Sequence, residues 1–139
     1  MTLVYFDSSA FVKLLVEEEG SDVAASLWDG CDAAVSSRLA YPEVRAALAA
    51  AGRTGRLTAP QQRRAEVRWE EFWSSTRAVE LTASLTQRAG ELAGEQPLRG
   101  ADAVHLASVL VLGAAHVLSA VWDQQLQAAA RAAGVRVVP

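Results

Sequence analysis

The segment Leu3-Val4-Tyr5-Phe6-Asp7-Ser8-Ser9-Ala10 sets four apolar side chains directly before an acid and two hydroxyls, and a second apolar run opens at Phe11. A short run rich in valine and aromatics is the pattern of a buried strand. Asp7 then falls just past the strand's carboxyl end, where open α/β sheets gather their ligands. Ser8 or Ser9 is placed to cap the helix that follows. An acid there is held by rigid backbone on one side and solvated on the other, which suits a metal ligand.

The rest of the chain alternates the same two units. A helix is expected over Phe11 to Glu19 with Gly20 as its stop, then a helix over about Asp22 to Trp28, a turn over Asp29 to Asp32, and a strand over Ala33 to Ser37. Proline is tolerated in a first helical turn, so Tyr41-Pro42-Glu43 places a helix start near Leu39, with Leu39, Glu43, Ala47 and Ala50 on one inward face. Thr58 caps a helix to about Ser75. A strand is expected over Arg77 to Leu81, a helix from Thr82 to Glu95, a helix with Asp102 in its first turn running to Leu112, and a strand over His116 to Trp122. Asp123 opens a last helix that Gly134 stops, and residues 135–138 close the sheet. Strands alternating with helices throughout predict an α/β fold: a three-layer α/β/α sandwich on a mostly parallel five-stranded sheet, built as one domain over residues 1–139.

Composition narrows the function. Half of the 139 residues are apolar, too many for disorder, yet no apolar run approaches the roughly 20 residues of a membrane span. The N-terminus has no basic stretch ahead of an apolar one, so a secretory leader is not expected. The single cysteine, Cys31, excludes an internal disulfide and fits a reducing cytoplasm. A net charge of −3 makes the whole molecule no polycation, so contact with nucleic acid must be local. Lys13 is the only lysine among 13 basic residues. Arg53, Arg56, Arg63, Arg64 and Arg68 lie near Val67, Trp69, Phe72 and Trp73, where substrate contact competes with a solvated face for the arginines and packing is favoured for the tryptophans.

Asp7 and Asp123 follow strands; Glu43 and Asp102 sit in first helical turns. A parallel sheet brings all four to its carboxyl edge. Several carboxylates close together do not stay ionised without a cation, and oxygen-only ligands select Mg²⁺ or Mn²⁺. Such ions activate water and neutralise phosphate charge, so the chemistry points to phosphodiester hydrolysis. Three of the acids also have a local alternative: Asp102 as a helix-start acid, Asp123 as an N-cap, and Glu43 as an ion pair with a nearby arginine. His105 and His116 lack partners at zinc spacing and read as packed or hydrogen-bonding residues. No Walker loop, GxGxxG or Ser-His-Asp set competes. A receiver domain would want paired acids and a late lysine, and a haloacid-dehalogenase-type phosphatase would want an acid where Ser9 stands. A catalytically silent binding module on the same fold is the further alternative.

Tyr5-Phe6-Asp7-Ser8-Ser9-Ala10, Pro42-Glu43-Val44, Arg99-Gly100-Ala101-Asp102-Ala103-Val104-His105-Leu106-Ala107 and Trp122-Asp123-Gln124-Gln125-Leu126, in this order, resemble PIN-domain ribonucleases, specifically VapC-type toxins of prokaryotic toxin–antitoxin pairs. The resemblance spans essentially the full length. It implies an α/β/α sandwich, a cytoplasmic Mg²⁺-dependent endoribonuclease, a homodimer, and inhibition by a cognate VapB-like antitoxin. It implies that Asp7, Glu43, Asp102 and Asp123 are both catalytic residues and metal ligands, with Asp7 and Asp102 principal. A tRNA or rRNA loop is the implied substrate class; Ser9 and Arg99 are candidate substrate contacts. One departure is Val121, where family members often carry Ser or Thr two residues before the last acid. Ser119 lies on the same side of that strand.

Overall fold

A computed structural model describes all 139 residues. Its elements in chain order are β1 (Leu3–Phe6), α1 (Ser8–Leu15), α2 (Ser21–Gly30), β2 (Ala33–Ser37), α3 (Ala40–Arg53), α4 (Ala59–Ser74), β3 (Thr76–Val79), α5 (Ala83–Glu95), α6 (Gly100–Leu112), a 3₁₀ turn (Ala114–His116), β4 (Val117–Ala120), α7 (Gln124–Ala132) and β5 (Arg136–Val138). The five strands are all parallel, in the order β3-β2-β1-β4-β5.

The two-residue period of a strand divides the sheet between two cores. Val4 and Phe6 of β1, Ala34 of β2 and Ala120 of β4 face the layer of α1 to α4. Tyr5, Val35, Val117 and Val121 face α5, α6 and α7 on the other side. Both faces of the central strands are therefore covered, which is why β1 reads as a continuous apolar run rather than an alternation. Trp69 is fully buried in the first core and meets Phe11 edge-on with ring centroids 4.9 Å apart. Trp73 stacks obliquely on Trp69 at 5.4 Å. The tryptophans are packing residues, as their helical spacing suggested.

Several boundaries differ from the sequence expectation, each for a local reason. Asp7 itself caps α1, accepting the Ala10 N–H, so neither Ser8 nor Ser9 is the cap. The helix ends at Leu15 rather than Glu19: Ser21 donates its hydroxyl to the Val16 carbonyl and accepts the Glu18 N–H, which closes the chain into the next turn. Three acids at a helix carboxyl end would also oppose the dipole. Gly20 does not stop α1; at φ +91° it starts α2. A side chain there would collide with the Trp122 indole, whose Nε1 lies 2.8 Å from the position of a Cβ. Asp29 and Gly30, expected in a turn, complete α2. β3 begins one residue early at Thr76, and His116 belongs to the 3₁₀ turn rather than to β4. The inward stripe of α3 is Ala40, Val44, Leu48 and Ala51, one position on from the stripe containing Glu43. Glu43 therefore stands at the margin of the core, half-buried. The helix starts expected at Thr58, Thr82 and Asp123 are those found, with a full capping box at Thr58.

Candidate active site

Strand order reverses between β1 and β4, so their connections leave to opposite sides and open a crevice at the carboxyl edge. Phe6 pairs with Ala120 there. Asp7 is the next residue on one side, and Asp123 follows three residues on. Each caps the helix it precedes: Asp7 Oδ1 accepts the Ala10 N–H at 2.9 Å, and Asp123 Oδ2 accepts the Leu126 N–H at 2.8 Å. The strand–acid–helix unit read twice in the sequence is built twice in the fold. Glu43 in the first turn of α3 and Asp102 in the first turn of α6 complete the edge. One cavity of about 520 Å³ is lined by Asp7, Ser8, Ser9, Glu43, Arg99, Ala101, Asp102, His105, Trp122 and Asp123. A groove of about 580 Å³ beside α1, α2 and α4 is slightly larger, but it gathers no comparable set of acids.

Each of the four acids spends one carboxylate oxygen on the protein and leaves the other without a protein partner. Asp7 uses Oδ1, which accepts from Ser9 Oγ (2.8 Å) as well as Ala10. Glu43 uses Oε1, which accepts from His105 Nε2 at 2.7 Å. Asp102 uses Oδ2, bonded by Arg99 Nε at 3.0 Å, and Asp123 uses Oδ2 for its cap. The helix-start and ion-pair roles are thus real, yet they exhaust only half of each donor set. As the side chains stand, no three of these residues close on a single point; they ring the cavity. The free oxygens are hard, anionic donors, the set that fits Mg²⁺ or Mn²⁺ and not zinc.

Charge in the cavity is unbalanced. Asp7 is 5 % exposed, and its carboxyl is raised above the usual range, chiefly by desolvation. His105, the Ala10 N–H and the Ser9 hydroxyl pull it back, while Asp102 pushes it further up. The only full cation lining the cavity is Arg99, held to Asp102 and largely in solvent. Arg99 is thereby an ion-pair partner in this structure, and the Ser9 hydroxyl is committed to Asp7. Glu43 pairs with a histidine, not with an arginine.

His105 is packed and hydrogen-bonded, as expected, and its partners tie it to the site. It is 3 % exposed, takes a Tyr5 hydroxyl contact on Nδ1 at 2.7 Å, and presents Nε2 to Glu43. A single histidine among apolar neighbours carries no sequence mark of this; its place one turn after Asp102 is the only clue. Ser119 and Val121 do face the same side of β4, bordering Tyr5, Asp7 and His105, and the Ser119 hydroxyl is buried without a partner. None of Arg53, Arg56, Arg63, Arg64 and Arg68 lines the cavity. Arg56 pairs with Glu18 and Arg68 lies over Phe72; Arg53, Arg63 and Arg64 are exposed.

Residues 4–131 match the model of the PIN domain. The chain is 63 % identical over all 139 residues to Ribonuclease VapC49 of Mycobacterium tuberculosis (strain ATCC 25618 / H37Rv), covering 96 % of that protein. It superposes on the crystal structure of Mycobacterium tuberculosis VapC20, a sarcin–ricin-loop-cleaving toxin, with a TM-score of 0.68 at 19 % identity, covering 91 % of this chain and 94 % of the other. A toxin–antitoxin complex from Klebsiella pneumoniae gives a TM-score of 0.64 at 17 % identity, over 98 % and 96 % of the two chains. The motifs, the fold and the full-length identity agree: this chain belongs to the PIN-domain family, among its VapC-type members.

Proposed function

We propose that this chain is an endoribonuclease toxin that cleaves a specific cellular RNA with the help of Mg²⁺ or Mn²⁺ and is held in check by a VapB-like antitoxin. The observation that carries the proposal is the cavity lined by Asp7, Glu43, Asp102 and Asp123, each with a carboxylate oxygen left over. Asp7 and Asp102 are the principal candidates to hold the cation, with Glu43 and Asp123 completing the set. When bound, a divalent ion supplies Lewis-acid stabilisation of a phosphodiester under attack by water. The chain's own part is placement. The caps of α1 and α7 fix the backbone of Asp7 and Asp123, and the first turns of α3 and α6 bring in the other two acids. Arg99 can exchange Asp102 for a substrate phosphate, since its guanidinium is mostly in water and forks to either anion. Ser9 lines the cavity and donates to Asp7, and its oxygen can also accept from a substrate.

The VapC relatives' names support the ribonuclease, and the solved toxin–antitoxin complex of the same fold supports the antitoxin. The RNA is proposed only as a class, a structured tRNA or rRNA loop in the cytoplasm, and the protein as one PIN unit working as a homodimer. The test is cleavage of total RNA by purified protein with Mg²⁺, with EDTA, and with Asp102→Asn. New 5′ ends that need both Mg²⁺ and Asp102 support the proposal. Equal cleavage by folded Asp102→Asn, or in EDTA, overturns it. Relief of growth arrest on co-expression with a small gene next to this one tests the antitoxin.

A further inference from the structure

Glu43 is the one acid of the four whose place is not set by its own element. Asp7 and Asp123 are pinned as helix caps, and Asp102 sits at the start of α6 with Arg99 three residues away. Glu43 has three side-chain torsions, lies at the margin of α3's inward stripe, and its carboxylate hydrogen-bonds no group of its own helix. Its one side-chain hydrogen bond is with His105, 62 residues along the chain. A carboxylate only accepts, so His105 Nε2 carries the hydrogen of that bond. His105 in turn is fixed from behind. Its Nδ1 meets the Tyr5 hydroxyl at 2.7 Å, and the two rings stand edge to face with centroids 5.8 Å apart. Tyr5 is buried in the middle strand, packed in the core between the sheet and α5 to α7.

From this geometry we infer that Tyr5 and His105 are positioning residues for the proposed metal site: a buried pair, anchored in one core, that aims the Glu43 carboxylate from the opposite helical layer into the cavity. A carboxylate held by such a pair keeps one oxygen turned inward without the freedom of a solvated glutamate. The inference rests on the metal-dependent nuclease reading. It adds residues that touch neither ion nor RNA and act only through Glu43.

Four proteins test it: wild type, His105→Leu, His105→Gln and Tyr5→Phe, each checked for native circular dichroism. Two quantities are measured on each. The first is Mn²⁺ affinity of the RNA-free protein, by electron paramagnetic resonance of the unbound ion. The second is kcat and KM for RNA cleavage in Mg²⁺. His105→Leu is expected to weaken Mn²⁺ binding about 10- to 100-fold and lower kcat comparably, with KM for RNA little changed. Gln offers an N–H near the position of Nε2, so His105→Gln recovers most of both. Tyr5→Phe keeps the ring and the packing and loses about 3- to 10-fold of each by the same logic. If His105→Leu does not fold, Tyr5→Phe and His105→Gln decide.

Mn²⁺ affinity and kcat within twofold of wild type in folded His105→Leu or Tyr5→Phe overturn the positioning role while leaving the nuclease reading intact. So does an equal loss in His105→Gln and His105→Leu, which marks mere core packing. A wild type that binds Mn²⁺ but cleaves no RNA breaks the nuclease reading, and the Mn²⁺ series alone then decides. A wild type with no Mn²⁺ affinity overturns both.

Discussion

Glu18 is partly and Asp7 almost wholly withdrawn from water, and their carboxyls shift in opposite directions. Burial is the largest single influence on each and opposes ionisation. At Glu18 it is outweighed, because Arg56 and Lys13 bond the two oxygens at 2.9 and 3.1 Å and hold the group below the usual range. At Asp7 nothing comparable answers it, and the carboxyl stays high. The same contrast runs through the molecule. Glu80 has Arg38, Glu70 has Arg45, and Glu91 has Arg88. The cavity has four acids against Arg99 and one histidine. Outside the cavity the partly buried Glu18 is matched with two cations, and acids without a cation partner, such as Glu17, Glu19, Asp22, Asp29 and Glu71, stand exposed to water. The acids of the cavity are left short of positive charge, and the proposed metal ion and substrate phosphate would meet that shortage.

The sharpest way to break this contrast is to remove a cavity charge. Asp102→Asn is expected to cost RNA cleavage about 10³-fold, on the order of 4 kcal/mol of transition-state stabilisation. Measured in Mg²⁺ on mapped RNA, a loss under tenfold would put Asp102 on the structural side of the comparison. Next in size is the ion itself. Mg²⁺ at a hundred times its Kd should add about 2.7 kcal/mol to the stability of the wild type, read as a rise in Tm, and much less to Asp7→Asn. Equal gains in both would mean that the ion binds elsewhere.

The third effect concerns pH and carries its own sign. Asp7's folded carboxyl is raised, so between the ordinary aspartate range and its own higher value the folded state holds a proton that the unfolded chain has lost. Stability of the metal-free protein therefore falls as pH rises through that window. Asp7→Asn, whose amide oxygen can still accept the Ala10 N–H, should remove this slope and raise Tm at neutral pH by a few degrees, about 3–5 °C per kcal/mol recovered. A lower Tm for Asp7→Asn at pH 7 would contradict the charge shortage. The smallest effect belongs to the matched acid. Glu18→Gln should cost about 0.5–1 kcal/mol in denaturant unfolding, since its partners are partly in water. That contribution is present above the ordinary glutamate range and fades as pH falls through Glu18's lowered value. A loss above 2 kcal/mol would mean that ion pairs at the surface carry more of this fold than the cavity argument allows.

Much of this was legible in the linear chain. Apolar runs that end in an acid and restart as a helix, at Phe6-Asp7-Ser8 and at Trp122-Asp123-Gln124, specify both the strand–helix alternation and the edge on which the acids fall, because side-chain period and helix-start chemistry are local properties. Thr58, Thr82 and Pro42 placed three helix starts for the same reason. The helix expected over Phe11 to Glu19 ends at Leu15 instead, because what stops it is a bond from Ser21 back to Val16, made only once the chain has turned. Which stripe of α3 faces inward was decided by the sheet beneath it. That His105 is packed and hydrogen-bonded was legible, but not its partners, which lie 62 and 100 residues away on other elements. Residue types and their short-range spacing thus determined the sheet, its helices and the identity of the acids. Tertiary structure decided which acids go unmatched and which distant side chain Glu43 meets, since the depth of burial and the distance to the nearest partner do not exist until separate segments pack together.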